Sequence, residues 1–289
     1  MAVAVETIRQ RAPFPMHSGS PFGVLAPEVD DVALQYFVRR CTSLVRLDLG
    51  SYKREQVKRR LGGLIHAAGA SSVFEFAQKL AEDEKAVERF KAAFTIHVTE
   101  FFRDPDAYRN LASLVIPTLA RLGRPVEAWS AGCSLGAEPL SLAMLLHNSG
   151  VGVRRMVATD VCPTTVSRAR AGGPFDAREV KNLTQGDLAY HLEVRDDGNF
   201  WVRSPLHDRI EFRVHDLIAD RYPGPFDLVV CRNVLIYFVD EVKQSVLVRL
   251  AESVRPGGFL FLGGTEIIHS PEALGLIRRY PSLYEKAAG

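Results

Sequence analysis

The stretch VEAWSAGCSLGAEPLSLAM, from Val126 to Met144, constrains the fold most, because it joins an apolar strand, a glycine-bearing turn and the opening of a helix. Val126, Ala128 and Trp129 suit a pleated strand, and Gly132 and Gly136 allow close approach of backbone to a ligand. From Glu138 to Met144 an apolar helical pattern resumes. A turn of this kind aims backbone N–H groups outward at the carboxyl end of a sheet, where nucleotide-like ligands bind. A second apolar segment, Arg155 to Asp160, follows after one helix and ends in a carboxylate. An acidic residue there accepts both hydroxyls of a ribose, or it caps the helix that Pro163 opens.

Strand candidates at Val126–Ala131, Met156–Thr159, Ile210–Val214, Phe226–Cys231 and Phe259–Leu262 alternate with helical segments. Such alternation predicts a parallel sheet covered on both faces. Residues 172–208 break it: Leu192-Glu-Val194 and Phe200-Trp-Val202 flank an Asp-Gly pair, which predicts a hairpin and hence a small β insertion. Upstream, Val57, Leu61, Leu64, Ile65, Val73, Phe74, Phe76 and Leu80 recur at helical spacing, so residues 32–95 are expected to form a small helical domain. Residues 96–120 then form a linker and connecting helix, with Asp104 as N-cap and Pro105 at the first helical position. The remainder, 121–289, carries the sheet. The first 31 residues, rich in proline, glycine and serine, predict a flexible extension.

A chain of 289 residues with 47% hydrophobic content supports a substantial core and more than one domain. Its longest apolar runs are strand-sized and its start lacks a secretory segment, which predicts a cytoplasmic protein. Cys41, Cys133, Cys162 and Cys231 form no Cys-x-x-Cys pair, and the eight histidines show no metal-ligand spacing. Neither a disulfide framework nor a metal site is expected. A net charge of +2 gives no reason to expect nucleic-acid binding. It hides a basic segment, residues 39–60, with eight basic residues against two acidic ones. That segment is either a solvated helical face or a docking surface for an acidic partner.

Four separated segments together resemble the CheR-type chemotaxis receptor methyltransferases: Thr99-Glu-Phe-Phe-Arg-Asp104, Trp129-Ser-Ala-Gly-Cys-Ser134 with Glu138-Pro139, Ala158-Thr-Asp160, and Cys231-Arg-Asn-Val-Leu-Ile-Tyr-Phe238. The tail from Arg255-Pro-Gly-Gly to Thr265-Glu266 is similar too, and the likeness spans about residues 32–286. It implies an α/β fold, a Rossmann-like S-adenosylmethionine-dependent methyltransferase domain with a small antiparallel β subdomain, preceded by a small all-helical domain. By resemblance, His97, Thr99, Arg103, Glu138, Asp160, Asp216, Leu217, Arg232 and Asn233 would contact S-adenosylmethionine or its product S-adenosylhomocysteine. Thr99 and Arg103 would meet its methionine end, Glu138 its amino group, Asp160 the ribose, and Asp216 with Leu217 the adenine. Arg103 and Tyr237 would line the methyl-transfer pocket. The implied partners are the glutamate-bearing cytoplasmic helices of chemoreceptors, with residues 39–60 as a docking surface, and neither nucleic acid nor membrane insertion.

The chemistry is consistent with these residues. A glutamate side chain ionises near pH 4.3, so the acceptor is already a carboxylate at neutral pH and needs no general base. Departures from the family pattern are His97 where asparagine is usual, Ala137 and Leu140 after the glycine turn, and Gly172-Gly-Pro-Phe175 in place of Gly-x-Tyr. Two rival readings are a cofactor-binding signalling adaptor without turnover and a methyltransferase acting on another acceptor. A nicotinamide dehydrogenase fits less well, since the turn lacks Gly-x-Gly-x-x-Gly.

Overall fold

Four helices account for most of residues 29–95, and their boundaries have local causes: α1 (Asp31–Val45), α2 (Arg54–Ala67), α3 (Val73–Glu82) and α4 (Glu84–Phe94). The side chains of Asp30, Ser72 and Asp83 accept hydrogen bonds from the Ala33, Glu75 and Lys85 N–H groups, capping α1, α3 and α4. The apolar stripes that these caps start converge on an aromatic core in which the Phe37 ring lies 5.9 Å from Phe76 and 5.7 Å from Phe90. Phe37 is fully buried, and its replacement by alanine would cost about 3–5 kcal/mol. Phe74, counted in the helical stripe, is instead 52% exposed, one position off the buried face, and packs on Tyr36.

The computed structural model describes residues 29–95, 99–203 and 205–288. Residues 1–28 of the expected extension, and the candidate ligand residue His97, lie outside the described residues. The chain divides into two packed units between residues 96 and 97.

The second unit contains β1 (Val126–Ala131), β2 (Val153–Asp160), β3 (Leu192–Val194), β4 (Phe200–Val202), β5 (Ile210–Val214), β6 (Phe226–Cys231), β7 (Val254–Leu262), β8 (Leu276–Tyr280) and β9 (Leu283–Lys286). Its helices are α5 (Pro105–Leu114), α6 (Ile116–Ala120), α7 (Ala137–Asn148), α8 (Pro163–Ala171), α9 (Gln185–His191) and α10 (Asp240–Glu252). Seven strands form one sheet in the order β5-β2-β1-β6-β7-β9-β8. The first five run parallel; β9 pairs antiparallel with β7, and β8 antiparallel with β9. The sheet is therefore mixed, where the pattern of alternation predicts parallel strands alone. The central strands are largely apolar because both faces are covered: every residue of β6 is buried, Asp227 at its start included. β3 and β4 form the separate antiparallel hairpin, Leu192 opposite Val202.

At the entry end of the sheet, Asp227 ties three strands together. It accepts two hydrogen bonds from the Arg124 guanidinium, at 2.7 and 3.0 Å, one from the Glu127 N–H and one from Arg255. Burial alone would raise its carboxyl, but these donors hold it below the usual carboxylate range.

Candidate functional site

The strand order reverses at β1, with β2 and β5 on one side and β6 and β7 on the other. A crevice opens at such a point outside the carboxyl ends of the strands. The segments leaving β1, β2, β5 and β6 there are the Gly132–Gly136 turn, Asp160, Asp216–Leu217 and Arg232–Tyr237. From β5 to β6 is three strand spacings, about 14 Å, which suits an extended nucleoside-bearing ligand.

Asp160 holds the turn. Its Oδ2 accepts the Ser134 N–H and its Oδ1 the Cys162 N–H, each at 3.0 Å. Ser134 sits at φ 50°, a left-handed conformation that this bond helps to retain. The N–H groups of Gly132 and Cys133 share the Thr159 carbonyl, each at 2.8 Å. Asp160 thus shapes the cofactor-type turn itself, and α8 starts without any side-chain cap. Ala137 and Leu140, two departures from the family pattern, are fully buried, so they act on the turn through packing.

In the first turn of α7, Glu138 receives a hydrogen bond from Ser130 Oγ at 2.7 Å. Burial pushes its carboxyl up to about 7, against the opposing pull of Arg232, the Ser130 bond and Arg103, while Glu266 adds to the rise. A carboxylate so poised gains from a cationic ligand group. Arg232, at the end of β6, has a side chain only 2% exposed and donates from Nη2 to Asp104 Oδ2 at 2.7 Å. Its guanidinium lies 5.3 Å from the Tyr108 ring centroid and 4.9 Å from that of Phe261. Arg232 Nε is buried and lacks a hydrogen-bond partner, as does Ser134 Oγ.

Asp104 corrects an expectation. It stands at the N-cap position of α5 yet makes no capping bond, because its carboxylate is turned to Arg232. Phe102 and Asp104 both adopt left-handed backbone, φ 47° and 57°, on either side of Arg103. Each such residue costs about 1–2 kcal/mol and persists only where its surroundings enforce it. Here the Phe101 N–H donates to the Glu179 carbonyl (2.8 Å), Asn182 Nδ2 donates to the Phe101 carbonyl (3.1 Å), and the Phe102 N–H donates to Ser141 Oγ (2.9 Å). Phe101 is fully buried with its ring 4.9 Å from Phe175, and Phe102 is partly buried against Tyr108. These bonds fix the backbone that leads into Arg103.

The other expected residues are placed by the elements that carry them. Thr99 and Tyr237 are partly buried, Tyr237 closing the 3₁₀ turn that starts at Leu235. Asn233 is left-handed at φ 60°. Asp216 and Leu217 stand beyond β2, away from the Glu138 and Arg232 cluster; Asp216 accepts the Ile218 N–H, and Leu217 is buried. Burial places the Cys231 thiol well above its usual range, which removes it as a nucleophile. Sequence reasoning missed Ser130, Ser141, Tyr108 and Asn182 as supports, and gave Glu266 no role; only its place in the Thr265-Glu266 ending marks it.

The site fits S-adenosylmethionine by its donor set: a raised carboxyl at Glu138 for an ammonium, an unpartnered buried Arg232 Nε for an anionic group, and Asp160 for hydroxyls. Two family descriptions match the chain: "CheR methyltransferase, SAM binding domain" over residues 97–278 and "CheR methyltransferase, all-alpha domain" over residues 33–95. The chain is 38% identical over 245 residues to a chemotaxis protein methyltransferase of Listeria monocytogenes, covering 83% of this chain and 92% of that protein. It is 32% identical over 276 residues to chemotaxis protein methyltransferase 1 of Pseudomonas aeruginosa, covering 91% and 99%. With the chemotaxis protein methyltransferase of Vibrio parahaemolyticus it shares 32% identity over 248 residues, covering 82% and 90%.

Proposed function

Because the chain belongs to the CheR methyltransferase family and is an S-adenosylmethionine-dependent methyltransferase of chemotaxis, we propose that it converts glutamate carboxylates on the cytoplasmic helices of chemoreceptors to methyl esters. The observation that carries this reading is the guanidinium of Arg103, set between two strained residues beside the Glu138 and Arg232 cluster, which supports reception of an anionic acceptor there. S-adenosylmethionine supplies a methyl group on a sulfonium, which is activated before the protein acts. What remains for the chain is alignment. Asp160 accepts hydrogen bonds from the ribose hydroxyls, Glu138 accepts from the ammonium, Thr99 and Arg103 meet the methionine end, and Arg232 contacts the cofactor as well. Leu217 and Asp216 flank the adenine, and Asn233 adds a polar contact. Arg103 orients the acceptor carboxylate by charge-assisted hydrogen bonds, and Tyr237 donates one more. An acceptor already ionised needs no base, so the reaction requires no titrating side chain.

We further assign residues 32–95 as the receptor-facing helical domain, 96–120 as linker and connecting helix, and 121–289 as the catalytic domain with the β subdomain at 172–208. The basic residues of 39–60 lie on α1, α2 and the turn between them, and we place acidic receptor helices against them. Among the described residues no helix is long and apolar enough to cross a membrane.

The test is transfer of labelled methyl from S-adenosylmethionine to receptor-containing membranes, followed by mild base. Label released as volatile methanol is the expected result. Absence of base-labile label, with S-adenosylhomocysteine binding intact, would transfer the assignment to an adaptor or to another acceptor.

A further inference from the structure

Glu266 is 1% exposed, and backbone groups occupy both of its carboxylate oxygens. Oε1 accepts the N–H groups of Val234 (2.8 Å) and Leu235 (2.7 Å); Oε2 accepts those of Asn233 (2.7 Å) and Gly263 (2.8 Å). One side chain from the segment after β7 therefore grips three consecutive residues of the loop that leaves β6. Burying a carboxylate is costly, and four charge-assisted bonds offset that cost here. Three successive N–H groups can converge on one anion only if the backbone curls, and Asn233 supplies the curl with its φ of 60°.

The gripped residues adjoin the site. Arg232 directly precedes them, and the 3₁₀ turn that ends in Tyr237 starts at Leu235, the last of the three. Val234 lies so tightly on the glycine turn that a Cβ at Gly132 would come within 2.4 Å of its Cγ2. Gly263 completes the clamp, since a Cβ there would lie 2.5 Å from Glu266 Oε2 and 3.0 Å from the Asn233 nitrogen. We propose that Glu266 is a positioning residue: it sets the Arg232–Tyr237 loop against the cofactor turn through the backbone, without touching substrate or cofactor. This rests on the assignment of that loop to the methyl-transfer site.

The experiment compares Glu266→Gln with Asp227→Asn, a control at the opposite end of the same sheet. In Glu266→Gln the new amide replaces one oxygen, so two backbone N–H groups face a donor whichever way it turns. Four quantities are measured: hydrogen exchange at the 233–235 amides, S-adenosylhomocysteine affinity by calorimetry, kcat and Tm. Glu266→Gln is expected to accelerate exchange at 233–235, to weaken S-adenosylhomocysteine about tenfold and to lower kcat about 100-fold. Asp227→Asn is expected to lose Tm alone. If Glu266→Gln loses Tm but keeps wild-type affinity and kcat, its role is structural only and the proposal is overturned. Should Glu266→Gln fail to fold, Gly263→Ala decides: it keeps the carboxylate but wedges the clamp, and wild-type affinity in that variant overturns the proposal equally. Failure of the wild-type protein to methylate receptors would defeat the acceptor assignment and leave the exchange and affinity readouts standing.

Discussion

Glu138 and Asp160 carry the sharpest consequences at the scale of single residues. The Glu138 carboxyl ionises at 4.5 when unperturbed and is pushed up to about 7 in the fold, so the folded state holds its proton more tightly. The stability this contributes is complete below about pH 4.5 and is lost as pH rises through 7. Glu138→Gln should abolish that dependence, about 3 kcal/mol across the interval, in denaturant titrations from pH 4 to pH 8. An ammonium beside Glu138 favours the carboxylate, so S-adenosylhomocysteine binding should release a proton near pH 7. Calorimetry in buffers of different ionisation enthalpy reads that release, and Glu138→Gln should show none. Asp160→Ala frees the Ser134 and Cys162 N–H groups and should weaken S-adenosylhomocysteine at least about tenfold; unchanged affinity would remove Asp160 from the site. Asp160 was singled out by its place at the end of an apolar strand, a position that local pattern reveals, whereas Glu138 was named through the resemblance alone. The hold of Glu266 was not legible, because three of its four partners are backbone N–H groups of residues some thirty positions away, and no side-chain pattern records them.

At the scale of elements, the strand–turn–helix from Val126 to Met144 was readable because buried parallel strands are apolar runs and glycine marks the turn. The β3–β4 hairpin was readable from Asp197-Gly198 between strand-forming triplets. Strands β8 and β9 were not, since Arg278, Arg279 and Pro281 interrupt the pattern and β8 is an edge with four of its five residues exposed. The 99–104 loop was placed by its resemblance alone; its backbone conformation depends on Glu179, Asn182 and Ser141, which no local pattern connects to it. Asn182→Ala removes one of these anchors, a bond worth about 1 kcal/mol. Exchange at the 101 and 102 amides should then accelerate about fivefold, while the amides of β1 keep their protection. Equal protection in the variant would show that the other anchors suffice.

For the whole molecule, the basic character of residues 39–60 becomes more selective once the fold is known. Lys58 pairs with Asp31 at 2.6 Å and the Arg60 guanidinium lies 5.5 Å from the Phe94 ring centroid, so both serve the helical unit itself. Arg40 and Arg59 are exposed and are the cleaner probes of docking. Arg40→Glu with Arg59→Glu should raise the KM for receptor severalfold at low salt, leave S-adenosylhomocysteine affinity unchanged, and lose its effect as ionic strength rises. A KM equal to wild type at low salt would exclude these side chains from the interface. Mass-spectrometric mapping of the methyl group on a purified receptor, incubated with S-adenosylmethionine and either wild-type protein or Arg103→Ala, decides whether this site esterifies receptor glutamates. Base-labile methyl esters on glutamates of the cytoplasmic helices are expected with wild-type protein, and their near-complete loss with a folded Arg103→Ala; methyl groups on any other side chain, or undiminished ester formation by Arg103→Ala, would overturn the assignment.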